Sequence, residues 1–133
     1  MKKILLLTLL TVFLAACGVL AGGAEPPGGT WRLVSMPGFD HIPVQVTLRF
    51  DSASHSVAGN AGCNSYSGGY SLQGSRLSID ENLVMTLMAC PDQDWNEADF
   101  IQSLTTASAF SVQGEQLLLD VDGGQMVFVP AAE

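Results

Sequence analysis

From Thr30 onward, large apolar side chains recur at every second position, the period of a strand that buries one face. Val46, Leu48 and Phe50 alternate with Thr47 and Arg49; Leu77 and Ile79 flank Ser78; Phe110 and Val112 flank Ser111. Leu117, Leu119 and Val121 alternate with Leu118 and Asp120, and Met126 and Phe128 flank Val127. Between the runs lie Gly68-Gly69, Gln73-Gly74-Ser75, Gln113-Gly114-Glu115 and Asp122-Gly123-Gly124, where glycine supplies the positive φ that tight hairpins demand. One segment departs from this rhythm. Asp94 offers an N-cap with Glu97 three residues on, and Phe100, Ile101, Leu104 and Ala107 follow helical spacing. Asp94, Glu97 and Asp99 place negative charge at the positive end of the helix dipole, which accounts for this acidic cluster without a metal or an acid/base site. The pattern predicts a mainly β fold, α+β only in a minor sense: a curled antiparallel sheet or small β-barrel with one inserted amphipathic helix plugging an end.

The first 29 residues follow neither period. Lys2 and Lys3 precede the apolar run Ile4 to Phe13, and Leu14-Ala15-Ala16-Cys17 closes it, giving the charged, apolar and small-residue regions of a secretory signal. The run is too short to span a bilayer. Leu-Ala-Ala-Cys resembles a bacterial lipobox, which implies cleavage before Cys17 and lipidation of that cysteine. Two or three acyl chains, at about 0.8 kcal/mol per buried methylene, hold a protein on a membrane where one chain does not. Residues 1–16 are thus read as a lipoprotein signal peptide, 17–29 as the lipidated Cys17 and a Gly/Pro-rich tether, and 30–130 as the folded domain. Gly18 after Cys17, where an aspartate would signal retention, resembles cargo sent on to the outer membrane, so the expected place is the cell envelope at that membrane's periplasmic face.

Composition narrows the partners. The 133 residues suit one domain, and 47% hydrophobic content supports a packed core. Cleavage before Cys17 removes both lysines and leaves three arginines against 13 acidic residues. No basic surface for nucleic acid can be built from these, and lysine chemistry drops out. No Gly-x-Ser-x-Gly elbow, His-Glu-x-x-His pair, phosphate loop or dinucleotide fingerprint occurs. His41 and His55 lie in polar loops and are expected near solvent. The expectations are a non-enzyme with no cofactor, no catalytic residue and no metal, as a monomeric domain.

Cys63 and Cys90 are an even pair in an exported chain, for which a disulfide is the default; neither a C-x-x-C motif nor a histidine at ligand spacing favours a redox or zinc site. The string Gly59-Asn60-Ala61-Gly62-Cys63-Asn64-Ser65-Tyr66-Ser67-Gly68-Gly69-Tyr70, followed by Met85-Thr86-Leu87-Met88-Ala89-Cys90, resembles the META/HslJ-like domain of bacterial envelope lipoproteins. The resemblance extends from the opening strand Trp31-Arg32-Leu33-Val34 to an acidic residue, here Glu97, before an amphipathic helix, and covers Thr30 to Val129. It implies a compact β-rich fold on envelope proteins linked to stress tolerance, and no settled activity. A Cys63–Cys90 bridge would bring Asn64, Tyr66, Tyr70, Thr86 and Met88 together as the motif's candidate binding residues. The two tyrosines could form a ligand-facing aromatic pair, but a tyrosine on a curved hairpin is more often half-buried packing with its hydroxyl bonded locally.

Three functions follow as expectations. The first is an envelope lipoprotein that binds a protein or stabilises the cell surface under stress. The second is a carrier of a lipid or small hydrophobe in a pocket lined by Leu48, Phe50, Leu119, Phe128, Phe100 and Leu104. The third is an inhibitor of an extracellular hydrolase, using the Asn64 to Gly69 loop.

Overall fold

The computed structural model describes residues 24–91 and 94–132. The segment expected as a signal peptide, Cys17, and the expected tether as far as residue 23 lie outside them. Nine strands and one helix follow in order: β1 (Thr30–Ser35), β2 (Thr47–Asp51), β3 (Ser56–Asn60), β4 (Ser65–Gln73), β5 (Arg76–Ile79), β6 (Val84–Met85), α1 (Glu97–Thr105), β7 (Ala109–Gln113), β8 (Gln116–Val121) and β9 (Gly124–Pro130). All pairings are antiparallel, in the order β3-β2-β1-β9-β8-β7-β5-β4-β6, and β3 pairs with β4 to close a ring. The result is one curled antiparallel sheet, as the two-residue period predicts.

The inner face is the core. Leu48, Val57, Phe100, Leu104, Leu117, Leu119, Met126 and Phe128 are fully enclosed, and Trp31, Leu33, Tyr66, Tyr70, Leu77 and Ile79 complete one cluster with them. Three hairpins turn on two-residue loops, with Gly74, Gly114 and Gly123 at positive φ. Among the described residues no helix is long and apolar enough to cross a membrane.

Three local expectations are corrected. Gly68 and Gly69 do not make a turn; they lie inside β4, where an added Cβ would strike the Leu83 side chain at Gly68 and Asp80 Oδ2, 2.6 Å away, at Gly69. An added methyl at either position would make the end of a neighbouring side chain shift, so the close approach favours glycine there. Phe110 is only half-buried and Val112 is 52% exposed, although they lie opposite the enclosed Leu119 and Leu117 of β8, because β5 pairs with β7 only at Arg76↔Ala109 and leaves the rest of the outer edge of β7 uncovered. Leu118, expected on the open face, is 7% exposed, shaded by its cross-strand neighbours Ser111 and Val127 on the flanking strands.

The helix starts later than the sequence suggests. Asn96, not Asp94, is the N-cap: its backbone is extended and its Oδ1 accepts from the Ala98 amide at 3.0 Å. Glu97 is therefore the first helical residue, which frees its carboxylate to point away from the cap. Phe100 and Leu104 carry the buried stripe into the core beside β5 and β8.

Candidate functional site

The Gly59 to Tyr70 string folds as the end of β3, a tight loop, and β4. Asn60 shapes the loop, accepting from the Gly62 amide at 2.8 Å and donating to the Cys63 carbonyl at 3.2 Å. Gly62 has φ +122, and a Cβ on it would lie 2.7 Å from Trp95 Nε1. Both the backbone and the indole demand glycine. Trp95 in turn donates to the Ala61 carbonyl at 2.7 Å, tying the loop to the segment before α1.

Cys63 and Cys90 form a disulfide with Cα atoms 6.0 Å apart. Beside it Asn64 is 6% exposed and is the buried polar residue of the described chain. Every polar group of its side chain is used. Its Oδ1 accepts from the Met88 amide at 2.7 Å and from Thr86 Oγ1 at 2.9 Å, and its Nδ2 donates to Glu97 Oε2 at 2.8 Å. Glu97 Oε1 accepts from the backbone amides of Cys63, at 2.8 Å, and Asn64. Burial pushes the Glu97 carboxyl up, but the hydrogen bonds from the Asn64 side chain and from the Asn64 and Cys63 amides outweigh it and hold the group below the ordinary carboxylate value.

Cys63, Cys90 and Glu97 bring their ligand-type atoms within 4.8 Å of one another. The disulfide occupies both sulfurs, and three N–H donors already converge on the carboxylate, so the cluster is built as a brace. A disulfide sulfur carries no hydrogen, which makes the 3.9 Å approach of Cys90 Sγ to Glu97 Oε2 a contact only.

The structure joins Asn64, Thr86 and Met88 directly, and separates them from the tyrosines. Tyr66 is enclosed, packs edge-on against Phe100 with ring centroids 5.6 Å apart, and donates to the Thr47 carbonyl at 2.8 Å. Burial drives its phenol well above the ordinary range. Tyr70 points inward four residues along and donates to Glu25 Oε2 at 3.1 Å; burial first, then the Glu25 carboxylate, raise its pKa to about 12. Both are core residues rather than a ligand-facing pair. His41 and His55 are exposed, His55 with its ring 5.6 Å from that of Tyr70.

The brace holds an unusual surface. Thr86 exchanges bonds with Ser65, its amide to the carbonyl at 3.0 Å and its Oγ1 from the amide at 3.1 Å. Between this fixed point and Met88, Leu87 stands 97% exposed, with Val84 at 73% and Met88 at 57% beside it. The motif marks Thr86 and Met88 but carries no signal for Leu87 or Val84, and Glu97 reads both as a helix-dipole charge and as the acidic residue of the family pattern. The acidic residue that the motif places before the helix was the signal for Glu97.

A family model described as the META domain matches residues 24–133. The chain belongs to the META-domain family. Among curated proteins, no sequence matches this META-domain protein. Its fold is similar to an NMR structure of a protein from Burkholderia xenovorans, with 23% identity, a TM-score of 0.61, and 81% of this chain and 85% of that one covered. A second NMR structure gives 21% identity and a TM-score of 0.60 over 80% of this chain and 94% of the other. A crystal structure of a DUF4847 family protein from Bacteroides vulgatus aligns at 16% identity and a TM-score of 0.55, again over 80% and 94%. These likenesses establish that the META-domain protein shares its fold with them.

Proposed function

We propose that this META-domain protein is a non-enzymatic lipoprotein of the bacterial envelope that contributes to stress tolerance by binding another envelope protein. Lipid on Cys17 holds it at the periplasmic face of the outer membrane, and the domain is the binding part. The observation that carries this reading is Leu87: a large apolar side chain held 97% exposed on a segment fixed on both sides by Asn64, Ser65 and the Cys63–Cys90 bridge. Rigid presentation lowers the entropy lost on docking, and a single well-placed apolar anchor can dominate an interface.

The other two readings receive less support. Leu48, Phe50, Leu119, Phe128, Phe100 and Leu104, which a carrier would turn toward its cargo, are all buried in one packed cluster. Asn64 to Gly69, which an inhibitor would present, is committed to β4 and to the internal network.

A photoreactive amino acid placed at Leu87 in living cells tests the proposal against the same probe at Val112, another exposed apolar side chain. Position 87 is expected to form a discrete adduct with one envelope protein and position 112 is not, with Leu87→Asp removing the stress phenotype while leaving protein levels intact. Equal labelling at both positions, together with a normal phenotype for Leu87→Asp, would sink the reading.

A further inference from the structure

Among the described residues the same surface has a free backbone edge. In antiparallel pairs, residues whose main-chain groups point at the partner alternate with residues whose groups point away. The Thr86 amide bonds to the Ser65 carbonyl, and β6 pairs Met85 with Tyr66 and Val84 with Ser67. The alternation therefore turns the Met85 N–H and C=O away from β4, toward the outer edge of β6, where the sheet order ends. Met85 packs its side chain against the core while its main chain faces outward.

Edge strands in soluble proteins are ordinarily blunted with lysine, proline or a bulge. Here the edge is instead lined by exposed Val84, Leu87 and Met88, and braced from behind by Asn64 and the disulfide. Its charge is one-sided. Asp80 and Glu81 precede the apolar stretch and Asp94 follows it, all exposed. Of the three arginines, Arg76 sits at the far end of β4, opposite Gln73. Arg49 lies on the row Arg49–Ala58–Ser67–Val84, three strand spacings or about 14 Å from β6, and Arg32 is on β1 beyond it.

We propose that the outer edge of β6 is a docking site for an extended, lysine- or arginine-flanked segment of a partner protein, which adds as a further strand beside Val84–Met85. This rests on the partner-binding reading above and gives it a mode. Main-chain bonds to Met85 provide register, one apolar side chain covers Val84 while another reaches Leu87 past the end of β6, and the flanking cations meet Glu81, Asp80 and Asp94. The acidic flanks also oppose the alternative occupant, since two copies joined edge to edge would bring their carboxylates together. Residue 25 is tied to Tyr70 through its carboxylate, three to four residues along β4 from Ser67 and Tyr66, the partners of β6. At about 3.3 Å per residue the docking edge thus stands roughly 10 to 13 Å along the strand from the point where the N-terminal segment is fastened.

The test uses the mature, oxidised protein in detergent micelles and three labelled ten-residue peptides. One alternates valine with threonine between lysine ends, the second has glutamate ends, and the third repeats the first with alternate amides N-methylated. The expected result is saturable binding of the lysine peptide, at least about tenfold weaker binding of the other two and to the surface variants Val84→Glu and Leu87→Asp, and slowed exchange of the Met85 amide in the complex. Equal binding of the N-methylated peptide overturns strand addition while leaving protein docking at Leu87 intact, provided the cellular adduct at position 87 persists. Equal binding of the glutamate peptide overturns the charge selection. Loss of that cellular adduct removes the partner-binding reading itself, and a concentration-dependent dimer abolished by Val84→Glu replaces the foreign strand with a second copy.

Discussion

Glu97 is the residue on which the brace depends. Its carboxylate holds the two amides of the Cys63–Asn64 loop and the Asn64 side chain at once. In Glu97→Gln one oxygen can still accept from the amides, but the new NH2 group meets Asn64 Nδ2, donor against donor. Charge-assisted hydrogen bonds contribute about 1.5 to 3 kcal/mol each in context, so the variant is expected to lose about 2 to 3 kcal/mol in urea unfolding at neutral pH. The pH dependence has a definite sign. Because the folded carboxyl is held below its ordinary value of 4.5, its stabilisation is complete above that pH and is lost as pH falls through the depressed folded value. Wild-type midpoints should therefore drop on acidification more steeply than those of Glu97→Gln; parallel curves would show that the carboxylate carries no linkage. Tyr70 acts at the opposite extreme. Its phenol, raised from 10.0 to about 12, favours the folded state fully below pH 10, and that advantage disappears as pH rises toward 12. Tyr70→Phe should flatten the alkaline limb of the stability curve, and an unchanged limb would contradict a raised phenol pKa in the folded state.

At the scale of elements, the disulfide and the Asn64 network pin the same two segments, the β3–β4 loop and the stretch after β6. The bridge closes a loop of 27 residues, for which chain entropy gives roughly 3 to 4 kcal/mol. Cys63→Ala with Cys90→Ala is expected to lose about that much in thermal or urea unfolding, yet to keep the Met88 amide protected, because the Asn64 bond survives. Disappearance of that protection would mean that the sulfur bridge alone places the segment. These long-range ties also mark what the chain itself made legible. The strands could be read because each has one buried face, which forces a period of two, and the turns at Gly74, Gly114 and Gly123 because only glycine takes their φ cheaply. Gly68 and Gly69 carry the same letter for a different reason, a neighbour's side chain, which local sequence does not encode. Asn96 displaced Asp94 as cap by two positions, since both offer the same oxygen. The disulfide was foreseeable from an even cysteine pair in a chain expected to be exported, and the Asn64–Thr86–Met88 proximity followed from it. Leu87 was not, because exposure is a property of what fails to pack over a residue.

Across the whole molecule the sheet closes, but its joints are unequal. β3 and β4 share five paired positions, as do β8 and β9, whereas β5 meets β7 at Arg76↔Ala109 alone, aided by the Leu77 amide bonding to the Ser108 carbonyl at 2.9 Å. Few ladder bonds cross this seam, so something else must hold the ring shut. The helix is placed to do so: α1 packs against β5 and β8, on either side of β7, and drives Phe100 and Leu104 into the core beneath them. Hydrophobic burial there substitutes for missing backbone pairing, since a Phe removed from a filled core costs about 3 to 5 kcal/mol while a single net hydrogen bond contributes about 1. Opening at the seam is then the cheapest sub-global excursion of the fold. Native-state hydrogen exchange followed by NMR should find the Leu77 amide opening more readily than the Leu119 amide in the central strand β8. Leu83→Ala, beside Gly68 and away from the seam, should leave that difference unchanged, while Phe100→Ile, which keeps a folded core but shrinks the plug, should speed Leu77 selectively. If Leu77 and Leu119 exchange together in both variants, the ring opens only by global unfolding, and the helix is an ordinary part of the core rather than the clasp of the seam.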